Sequence, residues 1–168
     1  MTSSDGAQTS KIIIRHPVPD DRDWVDQLMT EEFGAPSVVG HEVLYTPGDL
    51  PGFMAVRDGE RVGLLTYQIS GTDWEIVTFN SRPVGQGTGT LLLEAVVEAA
   101  RQERCRRLWL MTANDNLRAL RFYQRRGFML RAVYPGAVAY ARERKPEIPL
   151  LGDHGIPILD EIELEMPL

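Results

Sequence analysis

Residues 74–97, WEIVTFNSRPVGQGTGTLLLEAVV, decide how this chain is read. Trp74 to Phe79 reads as a buried strand, Asn80 to Gly89 as a short glycine-rich turn, and the glycines open a helix. Glycine lets a backbone come close to a ligand and aim several N–H groups at one point. The first turn of a helix carries N–H groups without partners, with the positive end of the helix dipole behind them. Strand, turn and helix start therefore make a site for phosphate or diphosphate.

Three phosphate patterns compete for that stretch. A P-loop needs lysine after its last glycine, and here Thr90 follows Gly89. A dinucleotide fingerprint is spaced GxGxxG, whereas Gly85, Gly87 and Gly89 are spaced GxGxG, mid-chain, with no βαβ unit opening the protein. The third is the acyl-CoA loop of the GNAT superfamily of N-acyltransferases, written (Q/R)xxGxG(G/A). Val84-Gly85-Gln86-Gly87-Thr88-Gly89 resembles it in register. The departure is Val84, where the family has Gln or Arg; one side-chain contact is lost while the backbone cradle stays. A second stretch, NDNLRALRFYQRRGFML, resembles the family's second motif through Asn116, Ala119, Tyr123, Gly127 and Phe128.

The resemblance covers nearly the whole chain past Lys11 and implies a GNAT fold of class α/β. That fold has a mixed, mostly antiparallel sheet of about seven strands with helices on both faces, splayed at the centre to admit a pantetheine arm. It implies transfer of an acetyl group from acetyl-CoA, as co-substrate and with no metal, to a primary amine. Val84, Gly85, Gln86, Gly87, Thr88, Gly89 and Thr90 would hold the diphosphate. Asn116 and Ala119 would meet the pantetheine, and the Phe79 main chain the thioester carbonyl. Tyr123 would give a proton to the leaving sulfur, as a phenol with an ordinary pKa near about 10 can.

The general base is less marked. Glu75 lies on the central strand, and simple alternation puts it on one face with Val77 and Phe79. Apolar neighbours raise a carboxyl pKa toward a range useful for deprotonating an ammonium. His41 or a water is the alternative, while His16 and His154 read as structural or exposed. In the final strand, DEIELEM places Glu161, Glu163 and Glu165 on one face. Bordering the pocket, that face would select a cationic amine; facing solvent, it would only guard an edge, which is the expectation.

Among the arginines, Arg118, Arg121, Arg125 and Arg126 share the second-motif helix, and Arg101, Arg104, Arg106 and Arg107 flank Cys105. One or two would suit the 3′-phosphate of coenzyme A; the rest read as a solvated face. Such a setting can lower the Cys105 thiol pKa, although a structural cysteine is expected.

The totals fit this reading. A length of 168 residues suits one domain over 11–168 after a polar tail, 1–10, that reads as disordered. The net charge of −6 argues against nucleic acid as main partner. No apolar run is long enough to span a membrane, the N-terminus lacks a signal peptide, and a lone cysteine fits a reducing cytoplasm.

Outside the two motifs, Lys11 to His16 reads as a strand, and Asp20 or Asp21 as the N-cap of a helix ending near Gly34. Ala35 to Pro51 reads as irregular; the family resemblance implies a helix and loop roofing the acceptor pocket there. Gly52 to Arg57 and Val62 to Ser70 form a hairpin about Asp58-Gly59. Leu108 to Ala113, Phe128 to Tyr134 and Ile158 to Met166 read as strands, with Asp115 capping the second-motif helix. The acceptor is a small-molecule or protein amine, and Pro135 to Gly155 offers a surface for a homodimer. A catalytically silent acyl-CoA sensor or a protein-interaction module on the same fold is the rival reading.

Overall fold

A computed structural model describes residues 10–168; the expected tail over 1–10 lies, but for Ser10, outside the described residues. Strand β1 (Ile12–Arg15) and helix α1 (Arg22–Phe33) are followed by a small hairpin, β2 (Val38–Gly40) and β3 (Val43–Tyr45). A long antiparallel run comes next: β4 (Gly52–Arg57), β5 (Glu60–Ser70) and β6 (Asp73–Ser81). Helix α2 (Thr88–Gln102) leads to β7 (Arg107–Ala113), and α3 (Leu117–Gln124) to β8 (Met129–Tyr134). Helix α4 (Ala137–Arg144) precedes the final strand β9 (Glu161–Pro167).

Seven strands make one sheet in the order β1-β4-β5-β6-β7-β9-β8. Only β6 and β7 run parallel, because α2 carries the chain back between them. The β4–β5 turn is made by Asp58 and Gly59, both at positive φ, as a tight two-residue hairpin requires.

Alternation along β4 and β5 sends neighbouring side chains to opposite faces. Met54 and Leu64 meet Val25, Leu28 and Met29 of α1. Ala55 and Leu65 meet Leu92, Val96 and Ala100 of α2, joined by Tyr123 of α3 and by Phe128. Helices therefore cover both faces.

Two irregularities shape the centre of the sheet. Strands β6 and β7 pair only from Asp73↔Arg107 to Ile76↔Leu110, although both continue, so they fork. Between Thr66 and Tyr67 the β5–β6 register shifts, leaving Val77 as an extra residue on β6. This corrects the expectation that Glu75 and Phe79 share a face. Phe79 packs with the α2 and α3 core, while Glu75 turns toward β3 on the α1 side.

Three further expectations are corrected. The stretch from Ala35 to Pro51 is not irregular throughout: it holds the β2–β3 hairpin, turned by His41 and Glu42 at positive φ, and its only helical part is a single 3-10 turn, Pro47–Asp49. Asp21 stands at the N-cap position of α1 as expected, but its side chain makes no capping bond. Its fully buried carboxylate instead takes Arg15 at 2.6 Å, Arg61 at 2.7 Å and the Val18 N–H at 2.8 Å. Asn116 rather than Asp115 caps α3, accepting from the Ala119 N–H at 3.1 Å; Asp115 accepts from the Asp153 N–H. Gly127 ends α3 as expected, at φ 93°, with the Phe128 N–H returning to the Tyr123 carbonyl.

The arginine pair holds the Asp21 carboxyl well below its ordinary range. Its stabilising effect is therefore complete above the unfolded value near about 3.9 and is lost as pH falls through the lower folded value. Asp21→Asn is expected to cost about 2 kcal/mol near neutrality, a figure discounted for the partly exposed arginines. Urea unfolding at several pH values should also show a flatter acid dependence in the variant.

Pro135 to Gly155 has a visible structural task. Arg144 of α4 donates to the Glu42 carbonyl at 2.6 Å, and Lys145 Nζ to the Ser37 carbonyl at 2.9 Å. The segment thus braces the β2–β3 hairpin against the rest of the molecule.

Candidate active site

The glycine turn stands where β6 leaves the sheet. Gly85 and Gly87 have φ of 85° and 82°, a conformation costly for other residues. A Cβ on either would meet nothing within 4 Å, so their outer side is open. Gly87 occupies the N-cap of α2 and, lacking a side chain, leaves the first N–H groups uncapped. Gly89 has a different purpose. A Cβ there would stand 3.3 Å from Phe79 Cζ and 3.6 Å from Phe122 Cε2, so the bare backbone lets α2 settle on that aromatic pair. Val84 is exposed, while Thr88 is buried.

Side chains from outside the turn reach it on two sides. Arg57, ending β4, donates to the Gln86 side chain and, at 3.5 Å, to Thr88 Oγ1. Arg126, just past α3, donates to Thr90 Oγ1 at 2.7 Å and stacks 3.8 Å over Phe122. A groove of about 480 Å³ beside them is lined by Arg118, Arg121, Phe122, Arg125 and Arg126.

Tyr123 lies within an aromatic cluster, with ring centres 5.8 Å from Phe79, 5.3 Å from Phe122 and 5.2 Å from Phe128. Burial pushes its phenol up. The Asn116 oxygen is already engaged by Ala119, which leaves its Nδ2 to face a ligand.

The second half of the site lies on the α1 side. Glu75 is only 7% exposed and accepts from the Tyr45 hydroxyl at 2.7 Å. Burial pushes its carboxyl up; the Tyr45 hydrogen bond and nearby His41 oppose this, and Glu161 and Glu163 add to it. His41 Nδ1 is 3.4 Å from Glu161, and its ring is 4.5 Å from Tyr134. Both candidates for the base therefore belong to one cluster.

The acidic face of β9 is corrected here. Glu161 and Glu163 are 9% and 8% exposed, so this is no solvent-facing edge. Glu163 accepts from Tyr134 at 2.7 Å and from Arg107 at 2.9 Å, and Arg107 also holds Glu165 and Asp73. Arg106 joins Asp73 as well, so neither of these two arginines is free for phosphate. Cys105 is buried and its thiol is pushed up by burial, the reverse of an activated nucleophile. His16 is structural, with Nδ1 2.9 Å from the Gly52 carbonyl oxygen.

Sequence reasoning did not single out Tyr45, Tyr134, Arg57 or the brace at Lys145. Tyr45 sits in a stretch without strand patterning, and nothing local ties it to Glu75, thirty residues away.

The open helix start thus stands at the end of a forked parallel strand pair in an α/β fold. The chain belongs to the acetyltransferase (GNAT) family, whose model matches residues 16–128. It is 43% identical over 136 residues to the Bacillus subtilis (strain 168) protein YdhI, covering 80% of this chain and 85% of that one. Its fold is similar to that of an IAA acetyltransferase from Bacillus cereus, with TM-score 0.70 and 19% identity over 94% of this chain and 100% of that one. It is also similar to a GNAT family acetyltransferase from Elizabethkingia anophelis with acetyl-CoA bound, with TM-score 0.65 and 20% identity over 94% and 98% of the two chains.

Proposed function

We propose that the protein moves an acetyl group from acetyl-CoA to a primary amine by direct attack, and that the amine is cationic. The observation that carries this reading is the buried carboxylate set of Glu75, Glu161 and Glu163 beside the β6–β7 fork. Glu163 is met by Arg107, but among the described residues Glu75 and Glu161 have no arginine or lysine partner, and such a cluster lowers the free energy of an ammonium and repels a carboxylate.

The donor site fits its ligand: the space a Cβ would take at Gly85 and Gly87 is open, and the α2 N–H groups are uncapped. Bound acetyl-CoA supplies an activated acetyl thioester. Val84 to Thr90 hold the diphosphate, with Asn116 Nδ2 and the neighbouring Ala119 at the pantetheine. The Phe79 N–H, on the part of β6 that β7 no longer pairs, serves the thioester carbonyl oxygen. Glu75 takes a proton from the ammonium so that the free amine can attack. Tyr123 stays protonated, and its Oη hydrogen-bonds the sulfur to stabilise the thiolate as the carbon–sulfur bond breaks.

Release of coenzyme A thiol against an amine panel tests this. Amines with a second positive charge should turn over, and amino acids with free carboxylates should not. Coenzyme A binding without turnover on any amine would favour the silent sensor.

Glu75→Gln gives a separate expected result. As the base, Glu75 works only when ionised, so the rate rises with pH through its pKa, which is raised above the ordinary glutamate value. Glutamine can still accept from Tyr45 but cannot take the proton. The variant's rate should fall about a hundredfold, and the acid limb of its pH–rate profile should disappear. An unchanged profile would pass the role to His41 or water.

A further inference from the structure

The chain is acidic overall, with 24 Asp and Glu against 18 Lys and Arg, and most ordered guanidiniums use that excess. Arg15 and Arg61 pair with Asp21; Arg22 with Asp26 and Asp49; Arg82 with Glu31 and Glu32. Arg106 and Arg107 pair with Asp73, and Arg131 with Glu165. Three differ: Arg57, Arg126 and Arg142 are each hydrogen-bonded and half-buried, yet among the described residues none has a carboxylate partner. Arg142 is taken up by the backbone carbonyls of Ile148, Pro149 and Ile158, which leaves Arg57 and Arg126. Their partners are uncharged: Gln86 and Thr88 for Arg57, Thr90 and the Phe122 carbonyl for Arg126.

Both partner sets belong to the glycine turn and the first turn of α2, apart from Phe122. Two guanidiniums are thus held at the positive end of a 15-residue helix whose own N–H groups are uncapped. Like charges gathered at one point are unfavourable unless an anion joins them. A second observation points the same way: Arg126 Nε is buried with no hydrogen-bond partner. With Nη1 on the Phe122 carbonyl and Nη2 on Thr90, the whole guanidinium has only uncharged partners, and an anion against its accessible edge would offset the cost of the partly buried charge.

We infer that Arg57 and Arg126, neither of them in the glycine turn, form a cationic clamp on the donor's diphosphate. They supply the positive charge that the turn itself lacks at Val84, a neutral and exposed side chain. The clamp rests on the acetyl-CoA reading above and adds to it the residues that neutralise the donor. Guanidinium suits the task because its planar fork can hold a threonine or glutamine oxygen and a phosphate oxygen together. In this reading the hydrogen bonds to Gln86, Thr88 and Thr90 aim the two groups before the ligand arrives.

Calorimetric titration of coenzyme A and of pantetheine, which lacks the phosphates, into wild type, Arg57→Gln and Arg126→Gln tests the clamp. At low salt each substitution should weaken coenzyme A by about tenfold. The loss of affinity on raising the salt should shrink in both variants, because fewer charge contacts remain to be screened. Pantetheine should bind all three proteins alike, which also shows that the variants are folded. Coenzyme A affinity within twofold of wild type in both variants would overturn the clamp, as would an equal weakening of pantetheine. A wild-type protein that takes up no coenzyme A would instead strike the acetyl-CoA reading itself.

Discussion

Gly87→Glu is expected to abolish coenzyme A binding while leaving a folded protein. Gly87 sits at φ 82°, so any side chain there meets a backbone cost of about 1–2 kcal/mol. The space around it is empty, and a Cβ meets nothing within 4 Å, so packing adds no further cost. A carboxylate at the start of α2 even suits the helix dipole and would soften the loss of stability. For the ligand the same carboxylate is ruinous, because it occupies the anion position and repels the diphosphate. Like-charge juxtaposition of this kind costs several kcal/mol, so affinity should fall by about a hundredfold or more. Gly87→Gln is the control, since glutamine matches glutamate in size and carries no charge. It should bind coenzyme A more tightly than Gly87→Glu does. Calorimetry and thermal melting of both variants separate the two effects, and retained binding in Gly87→Glu would move the diphosphate away from this helix.

Tyr123→Phe is expected to cut turnover by about a hundredfold to a thousandfold, with the dissociation constant for coenzyme A little changed. The ring stays, so the contacts with Phe79, Phe122 and Phe128 survive. The hydroxyl that is lost sits on a buried ring, so its removal should change stability little. Burial raises the Tyr123 pKa well above that of a free phenol. An alkaline fall in rate below about pH 10 therefore cannot come from its ionisation. Stopped-flow and steady-state thiol release would measure the effect; an unchanged rate would assign the hydrogen bond at sulfur to water.

The glycine turn and its flanking elements were largely legible along the chain. Strand, turn and helix from Asp73 to Gln102 follow the expected order, and the Asp58-Gly59 hairpin and the Gly127 stop lie where turn chemistry puts them. These are local devices, each set by the backbone freedom of a few adjacent residues. The same reasoning failed at β6, where alternation alone put Glu75 and Phe79 on one face. The extra residue at Val77 is created by pairing with β5, and no pattern within β6 announces it. It failed again at Asp21, whose type and position suited a cap. Arg15 and Arg61 come from β1 and β5, and their charge outbids a single backbone N–H.

By itself the sequence determined the family's sheet-and-helix order and the glycine cradle, because hydrogen-bonding backbone at a helix start is specified by contiguous residues. The three-dimensional packing alone decided the carboxylate cluster on the α1 side. Tyr45, Glu75, Arg107, Glu163 and Tyr134 come from five strands, and only folding buries the β9 carboxylates beneath a hairpin braced by Arg144 and Lys145. Whether a glutamate guards a wet edge or shapes a binding pocket depends on what covers it and how far water is excluded. Those are properties of neighbours distant in the chain, which local periodicity does not record.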